Sequence, residues 1–140
     1  MKFIQIALVF FLMCSTTSYS QTIPIFKTNQ KLIVDGDLSD WKTPFSHPFV
    51  IHNTFEKASQ NTTVSFAWND ENFYIAFRSL DSKIIGSKQK KDSPIFKTDD
   101  LVEIFIDPDG DGQNYVEIGV NAFSTNFYML LKCISAECGG

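Results

Sequence analysis

Asp107, Asp109 and Asp111 stand at alternate positions of "DPDGDG" (107–112), with glycines at 110 and 112. Hard cations take oxygen ligands, and acids at positions 1, 3 and 5 with glycine at 6 open the calcium loop of a helix–loop–helix hand. The pattern then fails. Its twelfth position, where a bidentate Glu belongs, is Ile118, and Glu117 falls one residue early. The tract reads first as a turn and second as a calcium site of another kind, with Asp107, Asp109, Asp111 and Glu117 as its oxygen ligands. Glu103 and Asn121 flank it. A carboxylate beside an amide can both accept from and donate to the paired hydroxyls of a sugar.

Those residues need strands to position them. "LVEIFID" (101–107) and "YVEIGVN" (115–121) both alternate apolar and polar residues, as half-buried strands do. Val102, Ile104 and Ile106 share one face with Val116, Ile118 and Val120, the β-branched set of a hairpin core. A loop centred on Gly112 sets Glu103 opposite Asn121, Phe105 opposite Gly119, and Asp107 opposite Glu117. That second face then combines a carboxylate, an amide and an aromatic ring above a gap left by Gly119. Facing acids at 107 and 117 would repel unless a cation or water intervened.

An earlier pair repeats the pattern. "TVSFAW" (63–68) and "FYIAFR" (73–78) meet across "NDEN" (69–72). Closing the hairpin there sets Trp68 opposite Phe73, Phe66 opposite Ile75 and Val64 opposite Phe77. A slip of one residue would put the two apolar sets on opposite faces. Further strands are expected at "KLIV" (31–34), "FVIH" (49–52) and "NFYMLLK" (126–132). Trp41 follows the turn-rich "DGDLSD" as a core anchor. With no amphipathic helix pattern, the expected fold is all-β, an antiparallel β-sandwich layered like a jelly roll or immunoglobulin domain.

The chain has 140 residues, one domain's length. Lys2, the apolar run "FIQIALVFFLMC" and the small polar "STTSYS" are laid out as a signal peptide over residues 1–20, cleaved before Gln21. This implies a secreted, periplasmic or cell-surface protein, with residues 21–140 as the domain and no membrane span in the mature chain. Cleavage removes Lys2 alone among the charged residues, so net charge moves from −4 to −5. An acidic chain with one local lysine cluster, "SKQKK", argues against nucleic acid as partner. Cys133 and Cys138 remain and are able to pair in an oxidising compartment. His47 and His52 lack the third and fourth convergent ligands of a zinc site. No nucleophile elbow or phosphate loop is present.

"KLIVDGDLSDW", "FAWNDENFYIAFRSLDS" and "KTDDLVEIFIDPDGDGQNYVEIGVN" occur in this order. Together they resemble family 9 carbohydrate-binding modules and their relatives, over about Lys31 to Asn121. The resemblance implies a β-sandwich that binds carbohydrate without catalysis. In xylanase-linked members a sugar stacks between two tryptophans and is hydrogen-bonded by a Glu, an Arg and an Asn. Glu103 and Asn121 match the Glu and Asn, Gly119 stands where the Arg belongs, and Phe96 falls near the first platform. Arg78, beside Tyr74 on the polar face of its strand, is the candidate to replace the missing Arg. The family is typically longer, so the resemblance also implies an N-terminal portion, incomplete at its C-terminus, within a larger parent protein.

Two other functions follow from the same residues. One is a structural or assembly module of a larger surface protein, without a small ligand. The other is haem binding, as in related sandwich domains, with Met129, Lys132 or a histidine as axial ligand.

Overall fold

The computed structural model describes residues 22–132. The expected signal peptide, Cys133 and Cys138 lie outside the described residues. Six strands occur in chain order: β1 Ile25–Lys27, β2 Asn61–Trp68, β3 Phe73–Leu80, β4 Leu101–Ile106, β5 Asn114–Asn121 and β6 Asn126–Lys132. They form two three-stranded sheets, β1-β2-β3 and β4-β5-β6. Among the described residues the one helical element is a 3-10 turn, Ile95–Lys97. The fold is all-β, as the alternation predicts, and is that of a β-sandwich.

The β2–β3 hairpin has the expected register, Trp68 to Phe73, Phe66 to Ile75 and Val64 to Phe77. Asn69 fixes it. Its Oδ1 accepts the N–H groups of Glu71 at 3.0 Å and Asn72 at 2.8 Å, a side chain mimicking a backbone turn. Both faces of this hairpin are used. Ser65, Ala67, Tyr74 and Ala76 are buried on one side, where their mostly small side chains let the segment 31–46 lie close. Leu32, Ala67 and Tyr74 form a cluster against which Trp41 packs, and the Trp41 indole donates to Ser65 Oγ at 2.9 Å. On the other side Phe77 joins Val102 and Val120 around a cavity of about 310 Å³ between the sheets.

Two expected strands do not form. In "KLIV" only Leu32 is buried and Val34 is 91 % exposed. The Ile33 N–H donates to Asp40 Oδ2 at 3.0 Å, so a side chain takes the donor that a ladder would need. "FVIH" makes one isolated bridge, Val50 to Lys57. The parallel strand β1, pairing Ile25 with Phe66, was not expected. Three residues are too few to show a period of two.

The second hairpin differs in register. β4 and β5 pair Leu101 with Asn121, Glu103 with Gly119 and Phe105 with Glu117. The pairs are symmetric about Asp111, not Gly112, so one strand is displaced by two residues along the other from the expected alignment. Glu103 is therefore not opposite Asn121, nor Phe105 opposite Gly119, nor Asp107 opposite Glu117. The cause lies in the turn. Both Gly110 and Gly112 have φ near +70°, and Asp107 accepts their N–H groups at 2.9 and 2.7 Å, which ends β4 at Ile106. Because side chains alternate with a period of two, a shift of two leaves every residue on its expected face.

Candidate functional site

The face of β4-β5-β6 turned away from Val102 and Val120 carries most of the candidate residues. Its rows follow from pairing: Leu101 with Asn121, then Glu103 with Gly119 and Phe127, then Phe105 with Glu117 and Met129. Glu103 is exposed, and Glu117, diagonal to it, comes within hydrogen-bonding reach. Partial burial, the Glu117 charge and a hydrogen bond with Glu117 together raise the Glu103 pKa above the ordinary carboxylate range. Neither acid makes an ion pair among the described residues.

The gap expected above Gly119 is filled. Phe127 lies across it, with Cζ 2.6 Å from where a Cβ at 119 would stand, so this glycine leaves room for the ring of the neighbouring strand. Phe96 packs against Phe127 with centroids 5.5 Å apart and stays 45 % exposed. Phe96 and Glu103 thus lie on the same side of the sheet, linked through Phe127. The signal for Phe127 was available in sequence as an aromatic residue at the place on β6 that faces a strand glycine.

Asn121 is on this side of the sheet but not open to a ligand. It is 5 % exposed. Its Nδ2 donates to Ser87 O at 2.9 Å and Asp99 Oδ2 at 2.7 Å. Its Oδ1 accepts the N–H groups of Phe123 at 3.0 Å and Thr125 at 2.9 Å. All four hydrogen-bonding positions of the amide are filled. Asn121 holds the segment 85–100 and the β5–β6 turn against the sheet, and Phe96 projects from that segment. Asp99 is held below the usual carboxylate range by hydrogen bonds from the Thr98 hydroxyl, the Ser87 N–H and Asn121.

Arg78 is placed elsewhere. It lies on β3 in the other sheet, one residue from Phe77, and so projects from the opposite face to the one that lines the inter-sheet cavity. Its guanidinium stacks on Phe45, 4.3 Å from the ring centroid. Arg78 therefore does not replace an arginine beside Glu103.

The aspartates do converge. Ligand oxygens from Asp107, Asp109 and Asp111 all lie within 4.8 Å of one another, a grouping that suits a cation seeking several oxygens. Glu117 does not join them, because it projects beside Glu103. The Gly112 N–H, with a smaller contribution from that of Gly110, holds Asp107 below the ordinary carboxylate range. Met129 and Lys132 are three apart on β6 and project from opposite faces, so they do not form an axial pair for haem.

The architecture is that of a β-sandwich domain with an open sheet face of carboxylates and aromatic rings. The chain belongs to the carbohydrate family 9 binding domain-like family, whose model matches residues 34–129. Comparison with curated proteins found no match, and neither did comparison with solved structures.

Proposed function

We propose that this protein is an exported, non-catalytic glycan-binding domain whose site is the outer face of β4-β5-β6, centred on Glu103. The observation that supports this best is the row of Glu103, Gly119 and Phe127 with Phe96 packed at its end. A carboxylate that accepts from hydroxyls stands there with the half-exposed Phe96 ring, able to stack on the apolar face of a pyranose, backed by the buried Phe127. Asn121, which the family resemblance offers as a second sugar ligand, serves by holding Phe96's segment in place. Plant-type glucan or xylan chains are the expected ligands. Replacing Glu103 with Ala should abolish retention on immobilised glucan and xylan with little change in the melting curve. Equal retention by wild type and variant would overturn the assignment. Calcium on Asp107, Asp109 and Asp111 is a structural part of this reading.

A second reading has its own observation. Leu130, on the β6 face shared with Val116 and Ile118, is 67 % exposed, and Tyr128, Phe73 and Trp68 are also exposed. Large apolar side chains on the inward-facing sides of both sheets favour an assembly module within a larger protein. Failure of both glucan and xylan columns to retain a well-folded sample would favour this reading.

A further inference from the structure

The cavity of about 310 Å³ between the sheets lies where the chain leaves β3 and enters β4. Phe77 of β3 and the cross-strand pair Val102 and Val120 form its apolar walls. Ser79, Asp81 and Asp100 supply its polar part. Sites for small molecules have this make-up, apolar walls with a few placed polar groups, and this volume is at the lower end of their range.

Backbone groups hold both carboxylates in place. Asp81 Oδ1 accepts the Lys83 N–H at 2.9 Å. Asp100 Oδ2 accepts the Ile85 N–H at 2.7 Å, and the Asp100 N–H donates back to the Ile85 carbonyl at 2.7 Å. The second oxygen of each acid has no hydrogen-bond partner among the described residues. No cation is paired with either, since the one ion pair among the described residues joins Lys27 to Asp70. Two negative groups thus border an apolar cavity, in a chain of net charge −4, with no positive group matched to them.

We propose that this cavity binds a small primary amine, its apolar body between the sheets and its ammonium at the carboxylates of Asp81 and Asp100. The site lies on the opposite face of β4-β5-β6 from Glu103, so it does not depend on glycan binding. Charge selects the class of ligand. An ammonium brings three donors and no acceptor to groups that only accept. A hydrogen bond with ionised partners is about twice as strong as a neutral one. An alcohol brings one donor and no charge, and a carboxylate ligand meets like charge. The Ser79 hydroxyl is already paired with that of Thr62 at 2.8 Å, which leaves the two carboxylates as the main acceptors. The bound amine touches β3 on one side and β4 and β5 on the other. Because the two sheets share no strand pairing, it pins one to the other.

Amide NMR and calorimetry on the purified protein at neutral pH and low salt test this, with phenethylamine, 2-phenylethanol and 3-phenylpropionate as probes. The three share a phenyl ring on a two-carbon stem and differ in the end group. Phenethylamine should bind with a Kd of about a millimolar. It should bind about tenfold more tightly than the alcohol, the worth of one hydrogen bond to a charged group. The acid should bind more weakly still, and added salt should narrow the amine's advantage. Shifts should centre on the amides of residues 77–81, 100–102 and 120–122. Asp81→Asn combined with Asp100→Asn keeps an acceptor for the Lys83 and Ile85 N–H groups, and should bring amine and alcohol to equal affinity. Equal affinity of amine and alcohol in the wild type would overturn the inference. So would tighter binding of the acid, an amine preference that survives the double variant, or shifts confined to the Glu103 and Glu117 face. A dispersed spectrum unmoved by all three probes would overturn it as well. Retention on glucan and xylan is untouched by any of these outcomes.

Discussion

Phe127 occupies the space that any side chain at Gly119 would need. Cζ, Cε1 and Cδ1 of the ring all lie at or within 3.0 Å of the ideal Cβ position, closer than real Cβ atoms stand. Phe127 is buried, and Phe96 leans on it. Gly119→Ala should therefore destabilise the protein by about 1–3 kcal/mol, the usual cost of overpacking. The change should appear as a lower denaturant midpoint with an unaltered slope. An unchanged midpoint would mean that the ring moves aside freely, and Phe96 with it.

Asn121 makes a separate prediction, because its four hydrogen bonds tie three segments together. Asn121→Ala would strand the Phe123 and Thr125 N–H groups and release Ser87 and Asp99. At about 0.5–1.5 kcal/mol for each bond, a total near 2 kcal/mol or more is expected. Hydrogen exchange should accelerate at Ser87 and Thr125 before it does in β2 and β3. Glu103→Ala, by contrast, should lower glycan retention without this signature.

These two residues also mark how far the sequence could be read. The β2–β3 hairpin was legible to the residue, because Asn69 sets a turn that its own neighbours close. The β4–β5 hairpin was legible by face but not by register, since glycines at both 110 and 112 admit more than one turn centre. What Asn121 does was hidden: its partners Ser87 and Asp99 are 34 and 22 residues away, beyond any local pattern. Glu117 was placed with the aspartates on an expected pairing that the turn displaced by two. Arg78 had no sequence signal to say which sheet it would join.

Glu103 should make stability fall as pH rises through the upper carboxylate range. Its folded pKa lies above its unfolded value, so the folded protein binds more protons in the window between them, and raising pH through that window costs stability. Glu103→Gln removes the effect. The variant should melt at the wild-type temperature near pH 4, about where model-peptide carboxylates titrate, and above it at pH 7. A variant that melts lower at pH 7 would contradict the pairing with Glu117.

Asp99 acts with the opposite sign. Its folded pKa is below its unfolded value, so its contribution is present above the ordinary carboxylate range and lost as pH falls through the folded value. Asp99→Asn keeps the shape but replaces a charged acceptor of the Thr98, Ser87 and Asn121 donors. It should lower the melting temperature at pH 7, with the difference from wild type narrowing as the sample is acidified below about pH 4. Melting curves at three pH values measure this. A gap that stays constant with pH would mean that the hydrogen bonds, not the charge, hold the segment.

The aspartate loop gives the last prediction. Asp107 spends both of its oxygens on the Gly110 and Gly112 N–H groups, while Asp109 is exposed at the tip. Asp109→Asn should therefore leave the turn intact but weaken a cation bound by the three carboxylates. If calcium binds the folded form alone, it stabilises by RT ln(1 + [L]/Kd), about 2.7 kcal/mol at a hundredfold excess over Kd. Millimolar calcium should then raise the melting temperature of wild type and do so much less for Asp109→Asn. Magnesium should act weakly on both, because it demands a tighter octahedral cage. A melting temperature indifferent to calcium would assign the tract to turn formation alone, with Asp107 serving only to close it.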